Sequence, residues 1–291
     1  MQPKEPLKMR PRGAFPSPAH LAFAAMPHQA SPTPPSYGMI PPKLSIWGND
    51  RFGDCVSAEE AFAKAAYSVA AGVPELLVAD ADLVAWARKH GYLNGANLTD
   101  VMDTMAKTGL PIGSSTYTDG PPQSVDWTND AVLRSAIYAG PVKIAVAAGQ
   151  LESAVNQTND KNGWWAVGFH KSLMSDHCVG LCGFGSAQDL ATMLGVSLYK
   201  GVSPDTLCYL MFTWGSIGII DQKSLINITT EAWLRTPTTP GQPTPQPTPS
   251  PTPPAPTPTP PSPSGYGPWA FDVPGGTIEI TYTPSQPLPP G

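Results

Sequence analysis

The sequence predicts an α+β fold in which a helical half is followed by an antiparallel sheet half. Residues 44–235 carry the long apolar runs and all four cysteines of this 291-residue chain. Within that range the alanine-rich and amphipathic stretches come first, and short β-type runs follow. Helices that precede strands along a chain favour segregated layers rather than alternating β-α units. The length allows one such domain together with appendages.

The first half contains four predicted helices. The stretch that follows Cys55 is rich in alanine and ends at Gly72, which indicates a long helix with a glycine stop. Thr99 is a candidate cap for a later helix, and Asn129 with Asp130 opens another. In order, the four helical stretches are SAEEAFAKAAYSVAAG, ADADLVAWARKHG, LTDVMDTMAKTG and DAVLRSAIYAG.

The second half contains the predicted strands. Short runs rich in β-branched and aromatic residues, bounded by glycine and polar residues, are typical of strands. In order, these runs are PVKIAVAA, GWWAVGF, DHCVGLCGF, TLCYLMFTW and IGII. They complete the sheet half of the predicted domain.

Composition divides the rest of the chain into appendages. Residues 1–43 are a proline-rich arm that leads into the domain at 44–235. Residues 236–264 carry proline at about every second position and no charge, which predicts a polyproline II linker. Residues 265–291 read as a small hairpin, WAFDV, Pro-Gly-Gly and TIEITY. So short a tail cannot be stable alone, and we expect it to dock on a protein partner or another copy.

Composition also limits the function classes. The net charge is −5 and only 13% of the residues are charged, without a basic stripe, which argues against a nucleic-acid binder. The sequence contains no run of about 18 apolar residues, which is the pattern that would predict a membrane span. The first residues lack the apolar core of a signal peptide, so an extracellular or virion-associated location would need another export route. No CxxC pair exists, and we expect neither a metal nor a cofactor.

The first motif with chemical meaning is Trp47-Gly-Asn-Asp-Arg-Phe-Gly-Asp-Cys55, which leads directly into a helix. A thiol at a helix N-terminus is stabilised as the reactive thiolate by the helix dipole and by free N–H groups. Gly53, two residues earlier, permits a substrate to approach closely. The other three cysteines, Cys178, Cys182 and Cys208, read as buried structural thiols.

The second motif is Ser175-Asp176-His177-Cys-Val-Gly-Leu-Cys-Gly-Phe-Gly185. A histidine at the mouth of an apolar strand is often a satisfied core residue. His177, however, follows Cys55 in the order and approximate spacing of a nucleophile and its base in cysteine hydrolases. The other four histidines lie in polar or arm-like surroundings.

These motifs together resemble the papain-like cysteine peptidases over most of residues 44–235. In that family a glycine stands two residues before the nucleophile, an aspartate precedes the histidine, and a Trp-Gly pair follows the last catalytic position. Further matches are the Pro-Val strand at 140–146 and the Gly-Phe-Gly end of the histidine strand. More narrowly, the Asn-Asp-x-x-Gly-Asp-Cys motif resembles a little-studied bacterial and phage group of this family. The matching site residues are Asn49, Gly53, Cys55, Asp176, His177 and Trp214.

The resemblance implies a role for each matching residue. Cys55 is the expected nucleophile and His177 its base, while Asn49 takes the place of the family's oxyanion-stabilising glutamine. Three positions depart from the family pattern. Asn49 is shorter than glutamine, and Phe52 stands where the family has a disulfide cysteine. Phe212 replaces the asparagine that orients the histidine, and a phenyl ring cannot accept the imidazole hydrogen bond.

Two functions follow as alternatives. The first is a cysteine hydrolase that cleaves peptide or related amide bonds of a peptide or protein substrate with a Cys-His dyad. The second is a non-catalytic papain-fold component of a virion or another surface assembly. The retained Asn49, Cys55, Asp176 and His177 favour the hydrolase. The proline-threonine linker, the small hairpin, the lack of a signal peptide and Phe212 favour the structural role.

Overall fold

A computed structural model describes residues 10–235, 269–273 and 276–280 of the chain. The chain forms two units, Met1–Thr248 and Pro249–Gly291. The predicted proline-rich linker at 236–264 and most of the predicted tail lie outside the described residues. In the second unit, two strands pair antiparallel in the register of the predicted hairpin, with Trp269 opposite Ile280 and Val273 opposite Gly276.

The described helices include all four that the sequence predicts. They are α1 Ala19–Ala24, α2 Cys55–Ala70, α3 Asp80–His90, α4 Leu98–Lys107, α5 Asp130–Ala139, α6 Ala148–Asn156, α7 Ala187–Leu194 and α8 Gln222–Ile228. Asn129 caps α5 as expected, because its side chain accepts hydrogen bonds from the first-turn N–H groups. The prediction that Thr99 caps α4 is wrong. The helix begins two residues earlier than that cap would allow, at Leu98 after Asn97, and Thr99 lies inside its first turn.

The described strands include all five predicted runs. They are β1 Ala14–Phe15, β2 Tyr37–Gly38, β3 Ala96–Asn97, β4 Leu110–Ile112, β5 Ser115–Tyr117, β6 Gln123–Ser124, β7 Val142–Val146, β8 Trp165–Ala166, β9 His177–Ser186, β10 Leu207–Thr213, β11 Ser216–Asp221, β12 Thr229–Leu234, β13 Trp269–Val273 and β14 Gly276–Ile280. The strands of the sheet half are almost wholly buried, which explains why they read as apolar runs rather than as alternating patterns.

The main sheet has eight strands and is mostly antiparallel. Seven of its strands follow the order β6-β12-β7-β9-β10-β11-β8, and β2 pairs with β9 beside that path. The long strand β9 therefore lies at the centre, between β7 and β10. Two smaller sheets, β1-β3 and β4-β5, accompany the helical half. This arrangement of helices followed by a sheet confirms the predicted α+β class.

Helix α2 packs against the centre of the sheet. The ring of Phe62 stacks on the ring of Phe212 from β10, with centroids 4.1 Å apart and planes within 1° of parallel. Trp47 meets the same ring edge-on at 5.5 Å. Because α2 begins at Cys55 and packs along its length, its N-terminal end is held firmly at the edge between the two halves.

A cluster of buried charges lies on the sheet-facing side of α2. Lys143 Nζ lies 2.7 Å from Glu60 Oε1 and 3.2 Å from Glu59 Oε2. Arg235 Nη2 lies 2.7 Å from Glu59 Oε1. Lys64 Nζ and Asp119 Oδ1 form a further pair at 2.5 Å. The three cations and three carboxylates balance, so no net charge is buried in this cluster.

This cluster was not predicted from the sequence, because charged residues in a helix usually face solvent. Its members come from α2, from β7, from the loop at 119 and from the end of β12, and they are at most 3% exposed. Among the described residues, no helix is long and apolar enough to cross a membrane.

Candidate active site

The thiol of Cys55 lies at the first residue of α2, beside the start of β9. Its Sγ accepts a hydrogen bond of 3.4 Å from the backbone N–H of Cys178, the residue after His177. Chain folding therefore brings the predicted nucleophile to the strand that carries the predicted base. Cys55 is only 1% exposed. Burial raises the pKa of its thiol to about 12, although the nearby N–H groups of Cys178 and Gly13 act in the opposite direction.

The imidazole of His177 is held from two sides. Its Nε2 lies 2.7 Å from Oγ1 of Thr213, at the end of β10. The indole of Trp214 stacks on the ring at 4.1 Å, with the planes 16° apart. The other nitrogen, Nδ1, is buried and has no hydrogen-bond partner in the described part of the chain. Burial, and then the charges of Arg12 and Arg10, lower the pKa of His177 to about 3.

Thr213 supplies a hydrogen bond that the sequence interpretation missed. The family pattern directed attention to Phe212, and Phe212 indeed turns into the core against Phe62. The next residue along β10 points to the opposite face of the strand, where its hydroxyl reaches His177. The alternation of side chains along a strand could have drawn attention to this residue.

Residues Arg10–Phe15, which we call the N-terminal segment, lie against the loop before Cys55 and the residue before His177. The N–H of Ala14 donates to the carbonyl oxygen of Asp176 at 3.1 Å, and Gly13 accepts from Ala96 at 2.8 Å. Strand β1 of this segment pairs parallel with β3. The proline-rich arm predicted from the sequence thus enters the candidate site, which the sequence did not indicate.

Two glycines permit this close approach. A Cβ at Gly13 would stand 1.7 Å from the carbonyl oxygen of Gly53, well inside contact distance. A Cβ at Gly53 would stand 2.7 Å from the carbonyl oxygen of Arg12. Gly53 was predicted to permit a substrate to approach the thiol closely. In this structure the chain's own N-terminal segment makes that close approach.

The remaining predicted site residues lie around this contact. Asn49 is buried and its Nδ2 donates to the carbonyl oxygen of Phe52 at 3.0 Å, within the loop that precedes the thiol. The Asp176 carboxylate accepts from Ala148 N at 2.9 Å and pairs with Arg12. Its side chain therefore fixes the entry to β9, and its carbonyl faces the N-terminal segment.

Asp54, directly before the predicted nucleophile, is a buried carboxyl group without a cationic partner in the described part of the chain. It is 1% exposed, and neither carboxylate oxygen has a hydrogen-bond partner among the described residues. Burial raises its pKa to about 7, against smaller opposing contributions from its own backbone and from Asn49. Asp54 belongs to the motif before Cys55, but no role was predicted for it from the sequence.

The described residues contain no group of three or more histidine, cysteine or acidic side chains placed to hold a metal ion. All four cysteines are free and buried. Cys178, Cys182 and Cys208 have raised thiol pKa values because of burial, which is the behaviour of structural thiols.

In this closed arrangement both predicted site side chains, the Cys55 thiol and the His177 imidazole, are neutral. Burial disfavours both charged forms, since it raises the pKa of Cys55 and lowers that of His177. Three features of this region bear on proton transfer: His177 Nδ1 has no partner among the described residues, its Nε2 is held by Thr213, and the Cys55 thiol lies at a helix N-terminus. Contact with solvent would favour the thiolate and the imidazolium.

Comparison with known proteins finds relatives by structure. No protein-family model and no curated protein sequence matches the chain. Xylellain, a cysteine protease from Xylella fastidiosa, superposes with a TM-score of 0.53 at 14% identity, over 79% of this chain and 98% of that one. Digestive procathepsin L 3 from Tenebrio molitor larval midgut gives 0.53 at 14% identity, over 75% and 78%.

A third similar structure comes from a bacterial surface protein. The cysteine protease and lectin-like domains of Cwp84 from Clostridium difficile superpose with a TM-score of 0.52 at 12% identity. That superposition covers 73% of this chain and 54% of the other. At these identities the likeness concerns the fold. The chain has the papain-like fold, with its helical half and sheet half in the order that the sequence predicts.

Proposed function

We propose that this protein is a cysteine hydrolase that cleaves peptide or related amide bonds, with Cys55 as nucleophile and His177 as base. The observation that supports the proposal is the bond from the N–H of Cys178 to the Cys55 thiol, because Cys178 directly follows a histidine whose Nε2 is bound and whose Nδ1 has no partner among the described residues. The protein is latent in the closed arrangement, because the N-terminal segment covers the dyad.

The chemistry begins when the segment leaves and solvent reaches the dyad. Nδ1 of His177 takes the thiol proton, and the Cys55 thiolate attacks the carbonyl carbon to form the C–S bond. The imidazolium returns that proton to the departing amine as the C–N bond breaks, which leaves a thioester. A water molecule then attacks the thioester and gives a proton to His177. The acid product leaves, and the proton restores the thiol.

Thr213 and Trp214 support this proton transfer. The imidazolium carries a proton on Nε2, and the Thr213 hydroxyl can accept that hydrogen bond. Trp214 shields the bond from water by covering the ring. The developing oxyanion would be stabilised by the N–H of Cys55 and by the Asn49 amide, whose second hydrogen is not needed for its bond to Phe52.

The second candidate is a non-catalytic structural component of a virion or another surface assembly. The sealed, neutral dyad favours it, because a thiol with a pKa of about 12 is unreactive. The kinship with the bacterial and phage group belongs to the same proposal. The hairpin of β13 and β14 would then dock on a protein partner or another copy.

Opening the site by one substitution distinguishes the two candidates. Gly13→Ala places a methyl group against the backbone of Gly53, and overpacking of this kind costs about 1–3 kcal/mol, so we expect Cys55 to become accessible roughly tenfold more often. Gly149→Ala is the matched control, because a Cβ there meets nothing within 4 Å. The measurement is the rate of iodoacetamide labelling of Cys55 between pH 5 and pH 9, located by peptide mass spectrometry.

A hydrolase predicts that the opened variant is labelled well below pH 8.5, the ordinary range of a free thiol, and that it hydrolyses a casein-derived peptide mixture. Cys55→Ala added to Gly13→Ala should abolish both signals. If Gly13→Ala is labelled with the pH profile of an ordinary free thiol and hydrolyses no peptide, the result contradicts the hydrolase and supports the structural role.

A further inference from the structure

Two arginines anchor the N-terminal segment, in addition to the buried side chain of Ala14 and the pairing of β1 with β3. Arg12 Nη1 lies 2.6 Å from Asp176 Oδ2, and Arg12 Nη2 lies 2.7 Å from Glu152 Oε2. One guanidinium therefore bridges the residue before the base and a carboxylate of helix α6. The Arg12 side chain is 22% exposed and that of Glu152 is 11% exposed, so this pair is largely shielded from solvent.

Arg10 occupies a neighbouring position with a different set of partners. Its guanidinium donates to Asn156 Oδ1 at 2.8 Å and pairs with Asp160. The same group lies over the Trp214 ring, 5.1 Å from the centroid. Its backbone N–H donates to Glu152 Oε1 at 2.6 Å. The indole that covers His177 thus also forms one wall of an arginine position.

The receiving groups form one continuous surface beside the dyad. We call Glu152, Asn156, Asp160 and Asp176 the acidic rim. Helix α6 contributes the first two, the turn after it contributes Asp160, and Asp176 directly precedes β9. The three carboxylates of the acidic rim surround the positions of the Arg10 and Arg12 guanidinium groups. They leave a net negative charge when the N-terminal segment departs. Glu152, which is 8% exposed, would then be a poorly solvated carboxylate without its partner.

The chemistry of the rim favours guanidinium groups. Arginine offers a planar fork of N–H donors that can bond two acceptors at once, and it stacks on aromatic faces. Both features are used here: the fork at Glu152 and Asp176, and the stacking at Trp214. An ammonium group supplies the charge but neither the fork nor the stacking plane.

We infer that the acidic rim is a recognition site for arginine in the peptides that this protein acts on, and that Arg10 and Arg12 occupy it as resident ligands. The inference rests on the proposed function, since it names the substrate class of the same site. The substrates are arginine-rich segments with two guanidinium groups one residue apart, as in the chain's own Arg-Pro-Arg. Such a substrate segment competes with Arg10 and Arg12 for the acidic rim and displaces the N-terminal segment when it binds.

The test measures accessibility of Cys55 rather than turnover. N-ethylmaleimide at pH 8 labels any exposed thiol, catalytic or not, and peptide mass spectrometry separates Cys55 from the three buried cysteines. In the full-length chain, Arg10→Gln combined with Arg12→Gln should increase the labelling rate of Cys55 by roughly tenfold or more, because charge-assisted bonds hold the segment. Arg88→Gln on α3 is the control and should leave the rate unchanged.

The second arm adds peptides to that double variant. The hexapeptide of residues 10–15, RPRGAF, should slow the labelling of Cys55 by occupying the rim. QPQGAF should give no protection, and KPKGAF should protect at a concentration roughly tenfold higher. Glu152→Gln in the same background should remove the protection by RPRGAF.

Three results would overturn the inference. The first is an unchanged labelling rate of Cys55 in the double arginine variant. The second is protection by QPQGAF or by KPKGAF that equals protection by RPRGAF. The third is full protection by RPRGAF after Glu152→Gln is added to the double variant. None of them depends on hydrolysis. A protein that binds RPRGAF in this way but never cleaves a peptide would retain the arginine site and lose the proposed hydrolase activity.

Discussion

Two buried carboxyl groups on either side of the first turn of α2 behave in opposite ways. Glu60 is fully buried, and although burial alone would raise its pKa, Arg235 and Lys143 lower it to about 2. Asp54 is equally inaccessible but has no cation within hydrogen-bond distance, and its pKa rises to about 7. The same residue class, six positions apart, is ionised at one site and half protonated near neutral pH at the other.

The difference in pKa between Glu60 and Asp54 distinguishes a structural part of α2 from a candidate functional part. The charge cluster around Glu59 and Glu60 pairs each carboxylate with a cation, which makes it a fixed part of the core. The end of the helix with Asp54 and Cys55 leaves polar atoms unpaired. A buried carboxyl group without a cationic partner costs free energy, and such a group directly before Cys55 is typical of a functional site.

The largest expected effect comes from breaking the paired side of this comparison. Lys143→Met removes the ammonium that joins Glu59 and Glu60 and leaves their carboxylates with less compensation. We expect the free energy of unfolding to fall by about 3–5 kcal/mol. Denaturant unfolding followed by circular dichroism measures it. Lys107→Met is the matched control, because Lys107 pairs with Asp103 on an exposed surface, and a loss above about 1 kcal/mol there would remove the contrast.

A smaller effect of pH is expected on the unpaired side. The folded-state pKa of Asp54 is raised above its ordinary value of 3.8, so the native state retains the proton. Its contribution to stability is full below about pH 4 and is lost as pH rises through 7. Asp54→Asn should abolish this loss, so that the variant gains roughly 2–4 kcal/mol relative to the parent between pH 4 and pH 8.

The pH series must be compared as a difference between variant and parent. His177 contributes the opposite slope, because its lowered pKa gives stability that is present above 6.5 and lost as pH falls towards 3. This contribution is common to both proteins and cancels. Parallel stability curves for Asp54→Asn and the parent would show that Asp54 is not held protonated.

The smallest effect concerns the hydrogen bond between His177 and Thr213. In the opened Gly13→Ala background, Thr213→Val keeps the shape of the side chain and removes its hydroxyl. A hydrogen bond to a charged group contributes about 1.5–3 kcal/mol, so we expect kcat/KM for peptide hydrolysis to fall roughly 10- to 100-fold. The pH at which Cys55 labelling is half-maximal should rise, because the imidazolium loses a partner.

Rescue separates positioning by Thr213 from a packing effect. Thr213→Ser restores a hydroxyl and loses a methyl group, so it should recover most of the rate and the original pH profile. A Thr213→Val variant with an unchanged profile, or a serine variant as impaired as valine, would show that the hydroxyl does not position His177.

Much of the fold was predictable because it depends on local periodicity. The four leading helices and the five later strands were visible as amphipathic or apolar runs, and the thiol and histidine stood at the starts of α2 and β9. The helices α1, α6, α7 and α8 were missed, since segments of six to nine residues give a weak periodic signal. Thr99 failed as a cap because Asn97 and Thr99 are both acceptable cap residues and only packing selects between them.

The sequence by itself determined the order of helices and strands, the helix that starts at Cys55 and the strand that starts at His177. These depend on side-chain spacing over a few residues. Only the tertiary structure decided that Thr213 holds the imidazole, that Lys143 and Arg235 neutralise α2, and that Gly13 lies against Gly53. Each of these contacts joins residues more than 35 positions apart, and local pattern carries no information about which distant side chain fills a given space.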